Sequence, residues 1–311
     1  MRFRHAAIRT GVAAAITLAT VGLTVHEQPD DAPAAAAPRA PITAPRTPSP
    51  PPAVTPAPSP SASARARARA RASREIRDYL EDRAGRVSAA VRDLETGATY
   101  SYGSKVRTAT ASIVKVNILM ALLLKAQRAH RRLSPYEKSL AAQMIQHSDN
   151  GAASVLWNSI GGGGGLDKAN RKLGLRHTTA GPGGAWGSTT TSAADQLRLL
   201  GALTSERGPL SAKHRDYVLD LMKGVVDDQA WGVSAAAERE GSVALKNGWL
   251  PRRVDGGAWT VNSIGRISDD GADCLVAVIS AGHPSLSAGV ATVERVATLA
   301  TRAVRPGRGD G

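Results

Sequence analysis

The stretch SIVKVNILMALLLKAQR, residues 112–128, decides how this chain folds. It contains neither Gly nor Pro, and its side chains are apolar almost all round a helix. A helix that is hydrophobic on every side is stable only when other elements cover it. The stretch therefore predicts a helix buried in a large core, and it places Ser112 and Lys115 at the beginning of that helix.

Strand patterns lie on both sides of this helix in the sequence. Two short strand-forming segments precede it and are predicted to pair as a hairpin around the turn Glu95-Thr-Gly97. Three more strand-forming segments follow one another towards the C-terminal end of the chain. The predicted strands are 87–93, 98–102, 243–250, 259–267 and 274–280. These patterns favour an antiparallel sheet of about five strands.

Helical patterns occupy the middle of the chain and its end. The predicted helices are 75–83, 112–128, 135–147, 151–160, 167–173, 192–203, 210–226 and 288–303. We expect Gly161–Gly165 to interrupt them as a flexible connector. The fold class is therefore an α/β (α+β) sandwich, in which helices flank the antiparallel sheet and a helical lobe covers about 130–200.

The first 72 residues predict export rather than a folded domain. Arg2, Arg4 and Arg9 precede an uncharged, mostly apolar stretch, so residues 1–27 are expected to be a signal peptide or an uncleaved signal anchor. No cysteine lies near that stretch, so we do not expect a lipoprotein anchor. Residues 28–72 are predicted to be a disordered linker rich in Pro, Ala and Arg, and residues 73–311 a catalytic domain. We expect the domain to be secreted or held at the outer face of the cytoplasmic membrane.

Composition narrows the range of partners. The formal net charge of +14 favours anionic partners such as wall polymers or membrane headgroups, which the basic linker could contact. Aromatic residues make up only 4% of the chain and no nucleic-acid-binding motif is present, so nucleic acid is not expected. Cys274 is the single cysteine and is predicted to be a buried apolar side chain. No His-Glu-x-x-His motif occurs, so we predict no metal and no cofactor, and we expect a monomer.

Ser112 and Lys115 form the first of three candidate motifs. On a helix they lie on one face, about 5–6 Å apart at Cβ. A lysine buried against an apolar helix has a lowered pKa and can accept the serine proton. Ser-x-x-Lys is nevertheless expected about once by chance in a chain of this length, so an exposed lysine on an ordinary helix is an alternative.

The second motif, Ser148-Asp-Asn150, falls between two predicted helices. The Ser148 hydroxyl could pass a proton to a leaving nitrogen, and Asn150 could bind an acyl-amide side chain. Ser, Asp and Asn are also the preferred helix-capping residues, so a simple N-cap is the favoured explanation of this motif when it is taken alone. His147-Ser148-Asp149 contains the residue types of a histidine triad, but neighbours in sequence point in different directions.

The third motif, Lys246-Asn-Gly248, lies within a predicted strand. Lys246 could present a cation to a substrate carboxylate, and Gly248 could allow a ligand to approach the backbone closely. The backbone N–H groups of Trp249 and Ser112 could together form an oxyanion hole. A β-bulge or the end of a hairpin is the alternative.

The three motifs occur in the order Ser112-x-x-Lys115, Ser148-Asp-Asn150, Lys246-x-Gly248, on a buried helix, a helix junction and a strand. In this respect the chain resembles the penicillin-recognising serine enzymes, and class A β-lactamases most closely. The resemblance extends over about residues 75–305. It implies an α/β sandwich with a helical lobe, and an active site between the two.

The resemblance also implies a role for each motif residue. Ser112 would be the acylated nucleophile, Lys115 a proton acceptor, and Ser148 the relay of the proton to the β-lactam nitrogen. Asn150 would contact the acyl side chain, and Lys246 would attract the substrate carboxylate.

Three departures from the family pattern affect turnover. Between the second and third motifs, class A enzymes carry a Glu that is followed three residues later by Asn. This Glu activates the water that deacylates the enzyme. In the present chain no Glu lies between Asn150 and Glu206. Asn247 replaces the usual Thr or Ser, although it could still bind a carboxylate. Only 36 positions separate Ser112 from Ser148, which implies a trimmed rim of the cleft. Loss of a general base commonly costs about 10²–10⁴ in rate, so we expect acylation at Ser112 with slow deacylation.

Three functions are consistent with these features. The first is an exported serine hydrolase of the β-lactamase type, acylated by β-lactams or related acyl-amides. The second is a cell-wall D,D-peptidase that acts on peptidoglycan stem peptides, which the missing Glu and the basic linker favour. The third is a protein that binds wall fragments or β-lactams without hydrolysing them.

Overall fold

The computed structural model describes residues 61–237, 243–269 and 272–305. Its five longer strands form one antiparallel sheet in the order β2-β1-β7-β6-β5, as predicted, and two short strands form a separate ribbon. The strands are β1 (Arg86–Asp93), β2 (Thr99–Tyr102), β3 (Thr108–Ala109), β4 (Thr190–Thr191), β5 (Val243–Pro251), β6 (Trp259–Asp269) and β7 (Ala272–His283).

Helices cover both faces of the sheet. They are α1 (Ala62–Leu80), α2 (Val114–Arg128), α3 (Pro135–Gln146), α4 (Asn150–Ile160), α5 (Gly162–Lys172), α6 (Ala193–Thr204), α7 (Ala212–Lys223) and α8 (Leu286–Arg302). Helices α1 and α8 pack on one face. Helices α2 to α7 form the opposite layer and the helical lobe.

The central strand β7 divides two hydrophobic cores because its side chains alternate. Cys274, Val276 and Val278 face the core of α1 and α8, whereas Leu275 and Ile279 face the helical lobe. Every one of these side chains is fully buried. The predicted burial of Cys274 is thus confirmed, and burial raises the pKa of its thiol to about 12.

Helix α2 lies at the centre of the larger core, as its sequence predicts. Almost all of its side chains are buried, including those of Ile118, Leu119 and Leu122. The helix proper begins at Val114, because a 3-10 turn over Ala111–Ile113 precedes it. Ser112 therefore lies in this tight turn and not in the α-helix.

The first helix begins well before its predicted start at residue 75. Residues 62–72, which we assigned to the disordered linker, form the first half of α1, and Ser61 caps the helix by accepting from Ala64 N. Ala and Arg are among the strongest helix formers, which explains why alternating Arg and Ala support a helix. Ala72 and Ile76 anchor α1 in the core beside α8. The boundary predicted at residue 73 thus lies inside a helix.

The glycine run was also predicted wrongly as a connector. Gly161 ends α4 in the left-handed conformation, and α5 begins at the next residue. At Gly165 a Cβ atom would lie 1.9 Å from the Ile160 carbonyl oxygen, so only glycine permits this close junction. Burial of Leu166 and Ala169 on the inner face of α5 offsets the poor helix propensity of glycine.

The signal segment 1–27 and the linker up to residue 60 lie outside the described residues. Among the helices that are described, none combines the length and apolar character that a membrane span needs.

Candidate active site

Ser112 lies at the entrance to helix α2, on a strained turn. The residue before it, Ala111, has a φ of 47°, which is unusual for a residue other than glycine. Ser112 is half-buried, whereas Ile113 and Val114 are fully buried and anchor the turn in the core. Strain of this kind persists where packing holds the backbone firmly, and it is typical of functional sites.

Lys115 joins the first motif to the second. Its ammonium group donates to the Ser148 carbonyl oxygen at 2.6 Å, to Ser148 Oγ at 3.1 Å and to Asn150 Oδ1 at 2.8 Å. The side chain is fully buried. Burial lowers the pKa of Lys115 to about 8, although the nearby charge of Asp149 opposes this shift. A lysine in this environment can exchange a proton near neutral pH.

Ser148 and Asn150 are directed towards Lys115 by the junction between α3 and α4. Ser148 has a φ of 55°, a left-handed conformation that turns the chain sharply after His147. Asp149 caps α4 by accepting from Ala152 N at 2.6 Å. The motif therefore combines both interpretations, because Asp149 is the helix cap while Ser148 and Asn150 hold the lysine.

The third motif packs directly against the first. A Cβ atom on Gly248 would lie 2.6 Å from the Ser112 amide nitrogen, 2.7 Å from that of Ile113 and 2.8 Å from the Thr110 carbonyl oxygen. Only glycine allows strand β5 to approach the Ser112 turn this closely. Strand β5 thus lies directly against the turn that carries Ser112.

Lys246 is a second buried lysine near Lys115. Its ammonium group donates to the Asn247 carbonyl oxygen at 3.2 Å. Burial, followed by the positive charge of Lys115, lowers the pKa of Lys246 to about 7. In the described part of the chain no carboxylate pairs with either lysine. Lys246 in its charged form is therefore available to compensate negative charge on a ligand.

The side chain of Asn247 points away from Ser112. Successive side chains of a strand alternate, so Asn247 lies on the face opposite to Lys246 and Gly248. Its amide nitrogen donates to the carbonyl oxygens of Gln229 at 2.7 Å and Trp231 at 2.8 Å. The Trp249 ring also packs on Trp231, with ring centroids 5.6 Å apart. The structure thus groups Asn247 with the 229–231 segment and separates its side chain from the other predicted site residues.

Trp186 is a site residue that the sequence analysis missed. The centroid of its ring lies 5.0 Å from Lys115 Nζ, within cation–π range. Its indole nitrogen donates to Ser154 Oγ on α4 at 3.2 Å. In the sequence, this residue is the single tryptophan of the loop GPGGAWGS, residues 181–188. The neighbouring residues do not indicate that its ring is directed towards Lys115.

The two acids between Asn150 and Glu206 have structural partners. Asp167 accepts from the Ala180 backbone at 2.9 Å. Burial of Asp195 opposes ionisation, but the backbone amides of Arg176 and His177 donate to its carboxylate and lower its pKa overall. Neither acid accepts a hydrogen bond from Ser112 or Lys115 among the described residues. The described residues also contain no cluster of three His, Cys, Asp or Glu side chains able to hold a metal ion.

The fold and the arrangement of the three motifs define a β-lactamase-like protein. The chain belongs to the Beta-lactamase enzyme family, Beta-lactamase2, whose family model matches residues 71–138 and 134–304. The predicted family and fold class are therefore confirmed.

Solved structures share this fold at low sequence identity. A class A β-lactamase from Bacteroides cellulosilyticus is 16% identical with a TM-score of 0.65, and the match covers 76% of this chain and 98% of that one. A mutant of PBP-A, solved as an acyl-enzyme complex with penicillin G, is 19% identical with a TM-score of 0.64, over 76% and 97%. A β-lactamase from Streptosporangium roseum is 20% identical with a TM-score of 0.63, over 76% and 99%.

A curated relative is the "Putative lipoprotein LppW" of Mycobacterium tuberculosis. It is 30% identical over 185 residues, which cover 57% of this chain. The match spans 58% of the length of that relative.

Proposed function

We propose that this protein is an exported serine enzyme that is acylated at Ser112 by β-lactams or related acyl-amides and releases the acyl group slowly. The observation that carries this proposal is the hydrogen bonding of buried Lys115 to both Ser148 and Asn150, one helical turn from Ser112. This arrangement supplies a nucleophile, a proton acceptor and a proton relay without a histidine.

Acylation would use these groups in sequence. Ser112 Oγ attacks the carbonyl carbon of the amide, and its proton passes to neutral Lys115. The backbone N–H groups of Ser112 and Trp249 stabilise the oxyanion. The carbon–nitrogen bond then breaks, and the leaving nitrogen receives a proton from Ser148, which Lys115 reprotonates. The close packing of Gly248 on Ser112 supports this placement of the oxyanion hole.

Lys246 would bind the substrate carboxylate. It is buried beside Lys115 and pairs with no acid among the described residues, so an anionic ligand would favour its charged form. Asn150 would contact the acyl side chain while it holds Lys115. We assign Asn247 to positioning of the 229–231 segment, because both of its amide hydrogens are directed to backbone carbonyls.

Slow deacylation follows from the surroundings of Lys115. The wall of the site next to it is the indole of Trp186, and Asp167 and Asp195, the two acids between Asn150 and Glu206, accept hydrogen bonds from backbone amides. The same observation favours a second candidate, a D,D-peptidase that acts on peptidoglycan stem peptides. Release of D-alanine from a stem-peptide mimic would distinguish the second from the first.

Export to the outer face of the membrane is part of the proposal. The apolar stretch after Arg9 supports it, and so does the lipoprotein description of the mycobacterial relative. We propose that the basic residues before the domain, up to the exposed arginines of α1, contact anionic wall polymers or headgroups. We propose a monomer.

The test is covalent labelling with benzylpenicillin followed by intact-mass measurement. We expect the full chain to gain the mass of one penicillin, and the Ser112→Ala variant to gain none. Equal labelling of the two proteins, or no labelling of either, would refute acylation at Ser112.

A further inference from the structure

Trp186 contacts Lys115 of the first motif and the helix α4, which carries Asn150 of the second motif. Its ring lies over the Lys115 ammonium, and its indole N–H is bound by Ser154 on α4. The Ser154 hydroxyl in turn donates to the Asn150 carbonyl oxygen at 3.0 Å. The ring is therefore connected to the helix that carries the second motif, and it borders the buried lysine on the side of the 177–188 loop.

Several hydrogen bonds hold the loop that carries the ring. Trp186 begins a 3-10 turn that ends at Ser188, and Thr189 N closes the turn on the Trp186 carbonyl oxygen at 3.1 Å. Gly181 N donates to Thr189 Oγ1 at 3.1 Å, and a Cβ atom on Gly181 would lie 2.1 Å from the Ala185 carbonyl oxygen. Thr189 also binds Thr110 N through its carbonyl oxygen at 2.7 Å, just before the Ser112 turn. The turn that carries Trp186 is thus hydrogen-bonded to the segment just before the nucleophile.

An indole in this place has a chemical consequence. Hydrolysis of an acyl-enzyme requires that a water oxygen bond to the ester carbon, that the bond from this carbon to Ser112 Oγ break, and that a water proton reach Oγ. A basic group must hold that water beside the ester. The indole is a bulky apolar group with a single N–H donor, and that donor is already occupied by Ser154.

We propose that Trp186 is a specificity-determining residue whose indole keeps hydrolytic water away from the Lys115 side of the acyl-enzyme, so that the acyl group stays on Ser112. This inference rests on the proposed acylation of Ser112. It extends that proposal by assigning the long life of the acyl-enzyme to a residue that is present, in addition to a Glu that is missing.

The experiment follows acyl-enzyme decay in the full chain. Wild type, Trp186→Ala and Trp186→Glu are labelled with benzylpenicillin, freed of excess ligand, and sampled by intact-mass measurement over time. We expect Trp186→Ala to lose the adduct at least about tenfold faster than wild type, and Trp186→Glu, which adds a carboxylate, up to about 10²-fold faster. Labelling by Trp186→Glu should itself be slower, because a carboxylate beside Lys115 raises the pKa of this lysine, so the decay is measured only on protein that is already labelled.

Two further variants complete the design. Tyr136→Ala truncates an exposed aromatic ring on α3, outside the site, and should decay like wild type. Ser154→Ala removes the acceptor of the indole N–H together with the bond to the Asn150 carbonyl oxygen, and should accelerate decay to a smaller extent even if Trp186→Ala does not fold.

The outcomes separate the two proposals. Equal adduct lifetimes in wild type, Ser154→Ala and the folded Trp186 variants would overturn the role of Trp186 and leave acylation intact. Absence of an adduct in wild type would overturn the proposed function, and the role of Trp186 with it.

Discussion

The α-carbon of Gly248 lies against the backbone of Ser112 so closely that a Cβ atom there would come within 2.6 Å of the serine amide nitrogen. This contact fixes strand β5 relative to the nucleophile turn, and all three of the nearest atoms belong to backbone that cannot rotate away. The strand and the turn are far apart in sequence, so the contact links the third motif to the first.

Substitution of Gly248 by Ala should therefore impair acylation and stability together. Overpacking of this kind costs about 1–3 kcal/mol in the free energy of unfolding, and displacement of the turn by about 1 Å can slow the reaction ~10²-fold. Thermal unfolding and the rate of penicillin labelling would measure the two effects. The matched control is Gly201→Ala in helix α6, where the nearest atom to an added Cβ lies 4.0 Å away. Labelling of Gly248→Ala at the wild-type rate would contradict this account.

The rate of acylation should depend on pH with a maximum between about 7 and 8. Lys115 must be neutral to accept the serine proton, and since burial lowers its pKa to about 8, its neutral fraction increases as the pH rises through that value. Lys246 must be charged to attract the carboxylate, and since its pKa is lowered to about 7, its charge is lost as the pH rises through that value. The two opposing requirements give a bell-shaped profile.

Second-order labelling rates across about pH 5.5 to 9.5 would show this profile. In a Lys246→Gln variant the overall rate should fall, and the decline on the alkaline side should disappear. A rate that does not vary with pH over this range would argue against a lysine as the proton acceptor.

Asn247→Ala should lower stability more than it weakens substrate binding. The change leaves the carbonyl oxygens of Gln229 and Trp231 without their amide partner, at a cost of about 1–3 kcal/mol in the free energy of unfolding. The exposed Asn158 on α4 provides the matched control, Asn158→Ala, which should unfold like wild type. An Asn247→Ala protein with wild-type stability and sharply weaker binding of penicillin would instead identify Asn247 as a substrate ligand.

The glycine run in α5 offers a paired test of the fold. Gly164 is exposed and has nothing within 4 Å of an added Cβ atom, so Gly164→Ala should stabilise the protein by about 0.4–1 kcal/mol. Gly165→Ala would place Cβ at 1.9 Å from the Ile160 carbonyl oxygen and should destabilise it. Chemical denaturation would compare the two variants. Destabilisation of both, or of neither, would be inconsistent with α5 beginning at Gly162.

Local patterns sufficed to predict most of the fold. Strands β1 and β5–β7 and the apolar helix α2 are specified by side chains within a few residues of one another, so local sequence patterns reveal them. The two errors have different physical origins. The glycine run forms a helix because Leu166 packs into the core, and this packing overrides the poor helix propensity of glycine. Helix α1 begins early because its Ala and Arg residues favour a helix, which Ala72 and Ile76 anchor beside α8.

Part of the candidate site could likewise be predicted from the sequence, and part could not. Lys115, Ser148 and Asn150 come together as their motifs predict, because the order of the motifs reflects the fold. The orientation of Asn247 and the position of Trp186 depend on contacts with Gln229 and Ser154, which lie far away in sequence. The sequence gives the residue types at these positions, but the directions of their side chains are set by tertiary contacts.

Burst kinetics with a chromogenic β-lactam test the central claim most directly. If Ser112, Lys115, Ser148 and Lys246 act in one crevice, rapid mixing should release about one equivalent of chromophore per enzyme, followed by a much slower steady phase. The burst should vanish in Ser112→Ala. A wild-type protein that shows no burst, or a Ser112→Ala protein that retains it, would contradict the account.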